Sequence, residues 1–209
     1  MYTGITRGTF EVVSLERRPG LLAYAVALPD ALREGLETGA SVSIDGVCQT
    51  VVAVTDEGVH FEAIQETLDL TTLSDLEKGQ RVAVERSARV GDEIGGHDVA
   101  GHVVGTGTIV ARRAAGEGLD LQVEVPPSWM KYVLHKGFIA IDGSSLTVGE
   151  RDAERGRFDL HLIPETLRLT NLGRRQPGDR VNVELDPRTV AIVDTVERVL
   201  EERAGATDA

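Results

Sequence analysis

A single cysteine, Cys48, is all this chain has, so no internal disulfide can staple it. That thiol is either a small buried hydrophobe or a working group, and its apolar neighbours suit both. Aromatic residues make up 4% of the chain, which leaves little material for stacking bases. Basic residues are outnumbered 22 to 34, for a formal charge of −12, and they are scattered rather than gathered into a stripe. Such a field repels phosphate backbones and anionic lipid, so neither nucleic acid nor membrane is expected as a partner. No apolar run approaches the roughly 20 residues that span a bilayer, and the opening "MYTGITRGTF" lacks the apolar core and cleavage pattern of a secretory signal. A cytoplasmic location is the expectation. His97 and His102, five residues apart in "GGHDVAGH" with no cysteine pair nearby, fit no standard zinc spacing. No metal is expected, and the other reading of these histidines is a pair of satisfied loop residues. Ser145 lacks the G-x-S-x-G elbow of an acyl-transfer nucleophile, and the glycines of "RVGDEIGGHDVAGHVVGTG" are not followed by the Lys-Ser/Thr of a phosphate cradle.

What the chain does have is itself, twice. "IDGVCQT" at 44 to 50 returns as "IDGSSLT" at 141 to 147, and "ETLDLTTL" (66 to 73) returns as "ETLRLTNL" (165 to 172). "GQRVAVE" (79 to 85) returns as "GDRVNVE" (178 to 184). The offset is 97 for the first pair and 99 for the others, which places a two-residue insertion at a hairpin tip, where "TDEGV" becomes "RDAERGRF". The offset of 97 also lays "TGITRGT" (3 to 9) on "AGHVVGT" (100 to 106). Two homologous domains follow, 1 to 90 and 91 to 186.

Each copy reads as short β-strands. "SVSIDGVCQTVVAVT" and "FIAIDGSSLTVGE" mix alternating apolar and β-branched residues, and "HFEAI" and "FDLHLI" alternate with period two. Only "PDALREGLETG" and "PSWMKYVLHKG" interrupt, each with the opening proline and closing glycine of a one- or two-turn helix. About six strands in 90 residues with long crossing connections predict a closed six-stranded Greek-key barrel, because closure removes exposed edges. The fold class is therefore all-β, two tandem barrels, followed by a C-terminal helix over 187 to 209. Asp186 can cap that helix, Pro187 suits its first turn, and Val193, Val196, Val199 and Leu200 recur at helical spacing. Such a stripe needs a partner to pack on, for which another subunit's helix is a natural candidate.

A repeat makes its own exceptions informative. Gly46, Thr50, Glu66 and Thr67 keep their counterparts Gly143, Thr147, Glu165 and Thr166, whereas Cys48 faces Ser145 and Ile5 faces His102. Matched positions read as a shared grip on similar ligands, and unmatched ones as different roles for those ligands. The bland alternative for Glu66 and Glu165 is a structural or ligand-hydroxyl contact rather than a carboxylate pair.

Taken in order, "MYTGI", "DGVCQTV", "ETL..T.L.DL..G..V..ER", "GDEIGGHDVAGHV", "KGFIAIDGSSLTV", "LIPETL..TNLG" and "VNVELDPRTVAIVDTVERVL" resemble the riboflavin synthase family of the alpha-subunit type, from residue 1 to about 203. The resemblance implies the transfer of a four-carbon unit between two molecules of 6,7-dimethyl-8-ribityllumazine, giving riboflavin and 5-amino-6-(D-ribitylamino)uracil, the last step of riboflavin biosynthesis, without a cofactor. It implies a homotrimer with active sites between subunits, and leaves association with lumazine synthase open. For the N-terminal barrel it implies a pocket of Gly4, Ile5, Thr6, Cys48, Gln49, Thr50, Glu62, Ala63, Ile64, Gln65, Glu66 and Thr67. For the C-terminal barrel it implies Gly101, His102, Val103, Lys136, Ser145, Leu146, Thr147, His161, Leu162, Ile163, Pro164, Glu165 and Thr166. Cys48, His102, Ser145 and Asp186 are the expected catalytic set, with thiol and imidazole titrating nearest neutrality. Tyr2, Asp45 and Gln49 stand where phenylalanine, asparagine and leucine are common in the family. The rival function is that of the lumazine proteins, which hold lumazine or flavin as an antenna and lack such cysteine and histidine contacts.

Overall fold

The computed structural model describes residues 1–207, so Asp208 and Ala209 of the expected tail lie outside the described residues. Strands β1 (Thr9–Arg18), β2 (Leu21–Val26), β3 (Ser41–Ile44), β4 (Val47–Val54), β5 (Val59–Ile64) and β6 (Arg81–Arg86) close a barrel in the order β1-β2-β5-β4-β3-β6. Strands β7 (Gly105–Ala115), β8 (Gly118–Glu124), β9 (Phe138–Ile141), β10 (Ser144–Asp152), β11 (Arg157–Leu162) and β12 (Arg180–Leu185) close a second barrel in the equivalent order, again all antiparallel. The two-barrel, all-β expectation holds. Closure requires sharply bent strands, and both copies bend at matching places: the register slips between Val12 and Ser14 and between Ile109 and Ala111, and again after Val51 and after Val148.

Period-two alternation puts Val42, Ile44, Val51, Phe61 and Val82 inside the first barrel and Ile109, Leu121, Ile139, Phe158 and Val181 inside the second. Each such side chain withdrawn from water contributes about 1.5–3 kcal/mol before entropy is counted. The β3–β4 and β9–β10 hairpins turn through Asp45-Gly46 and Asp142-Gly143 with positive φ at both residues (45° and 84°, 46° and 79°), the geometry that Asp-Gly favours.

The short helices follow the expectation only in part. "PDALREGLETG" forms a four-residue helix, α1 (Asp30–Arg33), and "PSWMKYVLHKG" only a 3-10 turn over Pro127–Trp129. The repeated "ETL" segments, by contrast, form helices, α2 (Gln65–Leu70) and α3 (Pro164–Leu169). Their leucines are spaced two apart and look strand-like, but Thr71 and Thr170 close both helices by donating to the carbonyls of Thr67 and Thr166 (2.7 Å each). The last element, α4 (Pro187–Thr207), starts at Asp186, whose carboxylate accepts the Thr189 hydroxyl (2.7 Å) and amide (3.2 Å). Lys131 and Tyr132 tie α4 to the second barrel through Asp194 and Glu197. Ile192, Val196, Val199 and Leu200 stay exposed along one stripe, with Ile192 rather than the half-buried Val193 at its start. No helix among the described residues is long and apolar enough to cross a membrane.

Candidate active site

Two short arms, residues 1–8 and 98–104, lie outside the strands in the seam between the barrels. Tyr2 and Val99, equivalent by the offset of 97, pair with each other across the seam (2.6 and 3.1 Å). Each arm is anchored by its own barrel. Glu85 on β6 accepts the amide and hydroxyl of Thr3 (2.7 and 2.6 Å) and the amide of Gly4 (3.1 Å), and its equivalent Glu184 on β12 accepts the amides of Ala100 and Gly101 (2.7 and 2.9 Å). Burial raises both carboxyl groups above their ordinary range, partly offset by these donors.

Each arm is then presented to the other barrel. The Gly101 carbonyl accepts the Cys48 amide (2.9 Å), and the Gly4 carbonyl accepts the Ser145 amide (2.8 Å). Glycine is required at both places: φ is +80° at Gly101 and +74° at Gly4, and a β-carbon would lie 2.7 Å from Cys48 Cβ or 2.5 Å from Ser145 Cβ. This corrects the grouping expected from the sequence. Gly101, His102 and Val103 sit with Cys48 on the N-terminal barrel, whereas Gly4 sits with Ser145 on the C-terminal barrel, and the Thr6 hydroxyl lies 3.3 Å from that of Ser144. Matching repeats show which residues are equivalent, but exchanging both arms preserves every equivalence, so the pattern cannot say which barrel an arm serves.

Around Cys48 the chain forms a cleft of about 310 Å³ lined by Val47, Cys48, Glu66, Thr67, Leu70, Thr71, Gly101, His102 and Val103. His102 is exposed at its mouth. Exposed Thr50, Glu62, Ile64 and Gln65 continue the same face, but Gln49 and Ala63 turn into the barrel, where the Gln49 amide oxygen accepts the Tyr24 hydroxyl (3.2 Å). The second barrel repeats this pattern: Thr147, His161, Ile163, Pro164 and Glu165 are exposed, Leu146 and Thr166 are half-buried, and Leu162 belongs to the core. Two of these polar groups are already engaged, His161 with Asp120 (2.7 Å) and Glu165 with Arg168 (2.6 and 2.8 Å). Lys136 is exposed at a turn with φ 61°.

The decisive asymmetry lies in what touches Cys48 and Ser145. The Tyr2 hydroxyl donates to Cys48 Sγ (3.1 Å), and burial, first, with the thiol beside it, pushes the phenol well above its ordinary range. Ser145 Oγ instead lies 2.6 Å from His97 Nδ1, and the His97 ring stacks on the exposed Phe138 at 5.1 Å and 15°. His97, Phe138, Leu70 and Thr71 were not among the expected pocket residues, and only the recurrence of Leu70 as Leu169 and of Thr71 as Thr170 gave a sequence signal. A larger hollow of about 570 Å³ beside α1 and the end of β6 is lined by Arg7, Arg86 and Arg89 but equally by Glu34, Glu85 and Asp92, and Arg86 is occupied by the carbonyl of Glu34 (2.8 Å). Among the described residues no group of three or more His, Cys, Asp or Glu is placed to hold a metal ion.

The family described as "Lumazine binding domain" matches residues 3–87 and 100–186, so the barrel pair is a tandem of lumazine binding domains. Riboflavin synthase of Escherichia coli (strain K12) is 48% identical over 207 residues, covering 99% of this chain and 96% of that one. Those of Chlamydia pneumoniae and of Buchnera aphidicola subsp. Baizongia pistaciae (strain Bp) are 38% and 36% identical, each over 96% of this chain and over 97% and 94% of their own. The chain belongs to the riboflavin synthase family. Its fold is also that of LumP complexed with riboflavin, with a TM-score of 0.82 over 89% of this chain and 100% of that one, and of LumP complexed with 6,7-dimethyl-8-(1'-D-ribityl) lumazine, at 0.78 over 88% and 98%. Identity to both is 24%.

Proposed function

We propose that this chain is a riboflavin synthase: it binds two molecules of 6,7-dimethyl-8-ribityllumazine and moves a four-carbon unit from one to the other. The observation that carries the reading is a pair of equivalent half-sites with different reactive groups, Cys48 beside Tyr2 and Ser145 beside His97. Similar grips suit two copies of one compound, and unlike groups suit the unlike fates of donor and acceptor. One half-site comprises Cys48, Thr50, Glu62, Ile64 to Thr67 and Gly101 to Val103; the other comprises Gly4 to Thr6, Lys136, Ser145 to Thr147, His161 and Ile163 to Thr166. His102 and Cys48 are the groups for removing the 7-methyl proton of one lumazine and activating a nucleophile toward C7 of the other. Holding the two heterocycles together turns an encounter into an effectively intramolecular step, which supplies about 7–11 kcal/mol of the barrier.

The exposed stripe of α4 supports a homotrimer in which the N-terminal half-site of one subunit meets the C-terminal half-site of its neighbour, so domains 1–90 and 91–186, each completed by the other's arm, carry the half-sites and 187–209 the assembly. Incubating the purified protein with the lumazine should generate flavin absorbance and fluorescence. Binding without flavin formation would indicate an antenna protein instead. In demonstrated mixed trimers, a dead N-barrel variant and a dead C-barrel variant should restore partial activity, and no recovery would mean that each site is built within one chain.

A further inference from the structure

His97 is 8% exposed, and its Nε2 is buried without a partner, while Nδ1 lies 2.6 Å from Ser145 Oγ. Buried N–H groups left wholly unpaired are rarer in folded proteins than buried acceptors left under-satisfied. The proton of the neutral ring therefore belongs on Nδ1. Burial holds the imidazole below its ordinary pKa, with Asp186 opposing and Arg188 reinforcing that effect, so the neutral ring persists at neutral pH. Nδ1–H must then donate to Ser145 Oγ, which occupies a serine lone pair and leaves the hydroxyl proton free to point elsewhere.

We propose that His97 is a positioning residue for the half-site at Ser145: it fixes the serine as a hydrogen-bond donor toward an acceptor atom of the bound heterocycle, a ring nitrogen or a carbonyl oxygen. Two further features build this arrangement. Gly96 brings the loop close enough, since a β-carbon there would lie 2.6 Å from Ser145 Cβ. Phe138 stacks on the imidazole at 5.1 Å and keeps it from turning. At the Cys48 half-site the sulfur accepts from the Tyr2 hydroxyl instead (3.1 Å).

The inference rests on the lumazine-binding reading of Ser145, and two measurements separate the two. Nitrogen NMR of the imidazole-labelled, full-length protein should show His97 protonated on Nδ1 and bare on Nε2, and a proton on Nε2 would overturn the proposal whatever the protein catalyses. Kinetically, His97→Leu should lower kcat/KM for the lumazine about tenfold, mainly through KM, the scale of one ligand hydrogen bond. His97→Asn, whose side-chain amide can occupy the place of Nδ1 and donate to the serine, should recover most of that loss. In Ser145→Ala protein, His97→Leu should add little. A folded His97→Leu variant with unchanged kcat/KM refutes the assignment, as does His97→Asn failing as badly as leucine with an unchanged melting temperature, because the ring would then act as more than a donor. A wild-type protein that forms no flavin defeats the catalytic reading, and the NMR result still decides this one.

Discussion

Replacing Asp45 by asparagine removes a charge that the fold holds at a cost. Asp45 and Asp142 are 2% and 1% exposed, on the paired turns where the barrels meet. Arg175 forms its ion pair with Asp142 (2.6 Å), whereas Asp45 accepts only the amide of Ala83 (2.7 Å) and the side chain of Asn171 (3.3 Å). Burial, first, and then the charge of Asp142 push the Asp45 carboxyl up from 3.8 to about 7. The native state thus keeps a proton that the unfolded chain releases. The favourable contribution of that protonated carboxyl is fully present below pH 3.8 and is lost as pH rises toward about 7. At about 1.4 kcal/mol per tenfold change in proton affinity, the full effect is about 4 kcal/mol. Asparagine accepts from Ala83 and Asn171 equally well, tolerates the positive φ, and carries no charge. Asp45→Asn should therefore be more stable by about 2–4 kcal/mol at pH 8 and by about 1–2 kcal/mol at pH 5. Urea unfolding of both proteins at the two pH values measures this directly. A gain that is absent, or equal at both pH values, would mean that Asp45 is ionised without penalty and that the account of the interface is wrong.

Cys48→Ser should lower turnover by tenfold or more while weakening lumazine binding only slightly, the mark of an interaction stronger in the transition state; steady-state kinetics and a binding titration separate the two effects. Tyr2→Phe removes the donor to Cys48 Sγ and should cost about 1 kcal/mol of stability, with the fold intact by circular dichroism. Gly46→Ala puts a β-carbon 2.4 Å from the Gly143 nitrogen at φ +84°, so thermal unfolding should show a loss of at least about 3 kcal/mol. Deleting residues 187–209 should give monomers with little flavin formation, and sedimentation of an active full-length monomer would refute the role given to α4.

The sequence alone determined the duplication, the barrel class, the equivalences between copies and the family, because these depend on local alternation, turn chemistry and order along the chain. Asp-Gly at 45–46 and 142–143 specified its hairpins wherever those hairpins were to lie. The short helices α2 and α3 escaped notice because two leucines two apart suit a strand as well, and the threonines that close them act only once the turn exists. Tertiary structure decided everything that depends on which copy meets which. It carried Gly101 and His102 to Cys48 and Gly4 to Ser145, set Tyr2 against the thiol, and brought His97 from a loop readable as mere turns to within 2.6 Å of the serine. It also pressed the two Asp-Gly turns together, turning Asp45 from a turn residue into a buried, nearly unpaired acid. Those contacts span about 40 to 140 residues of chain, and sequence periodicity carries no information about pairings at that range when the two partners are near copies of each other.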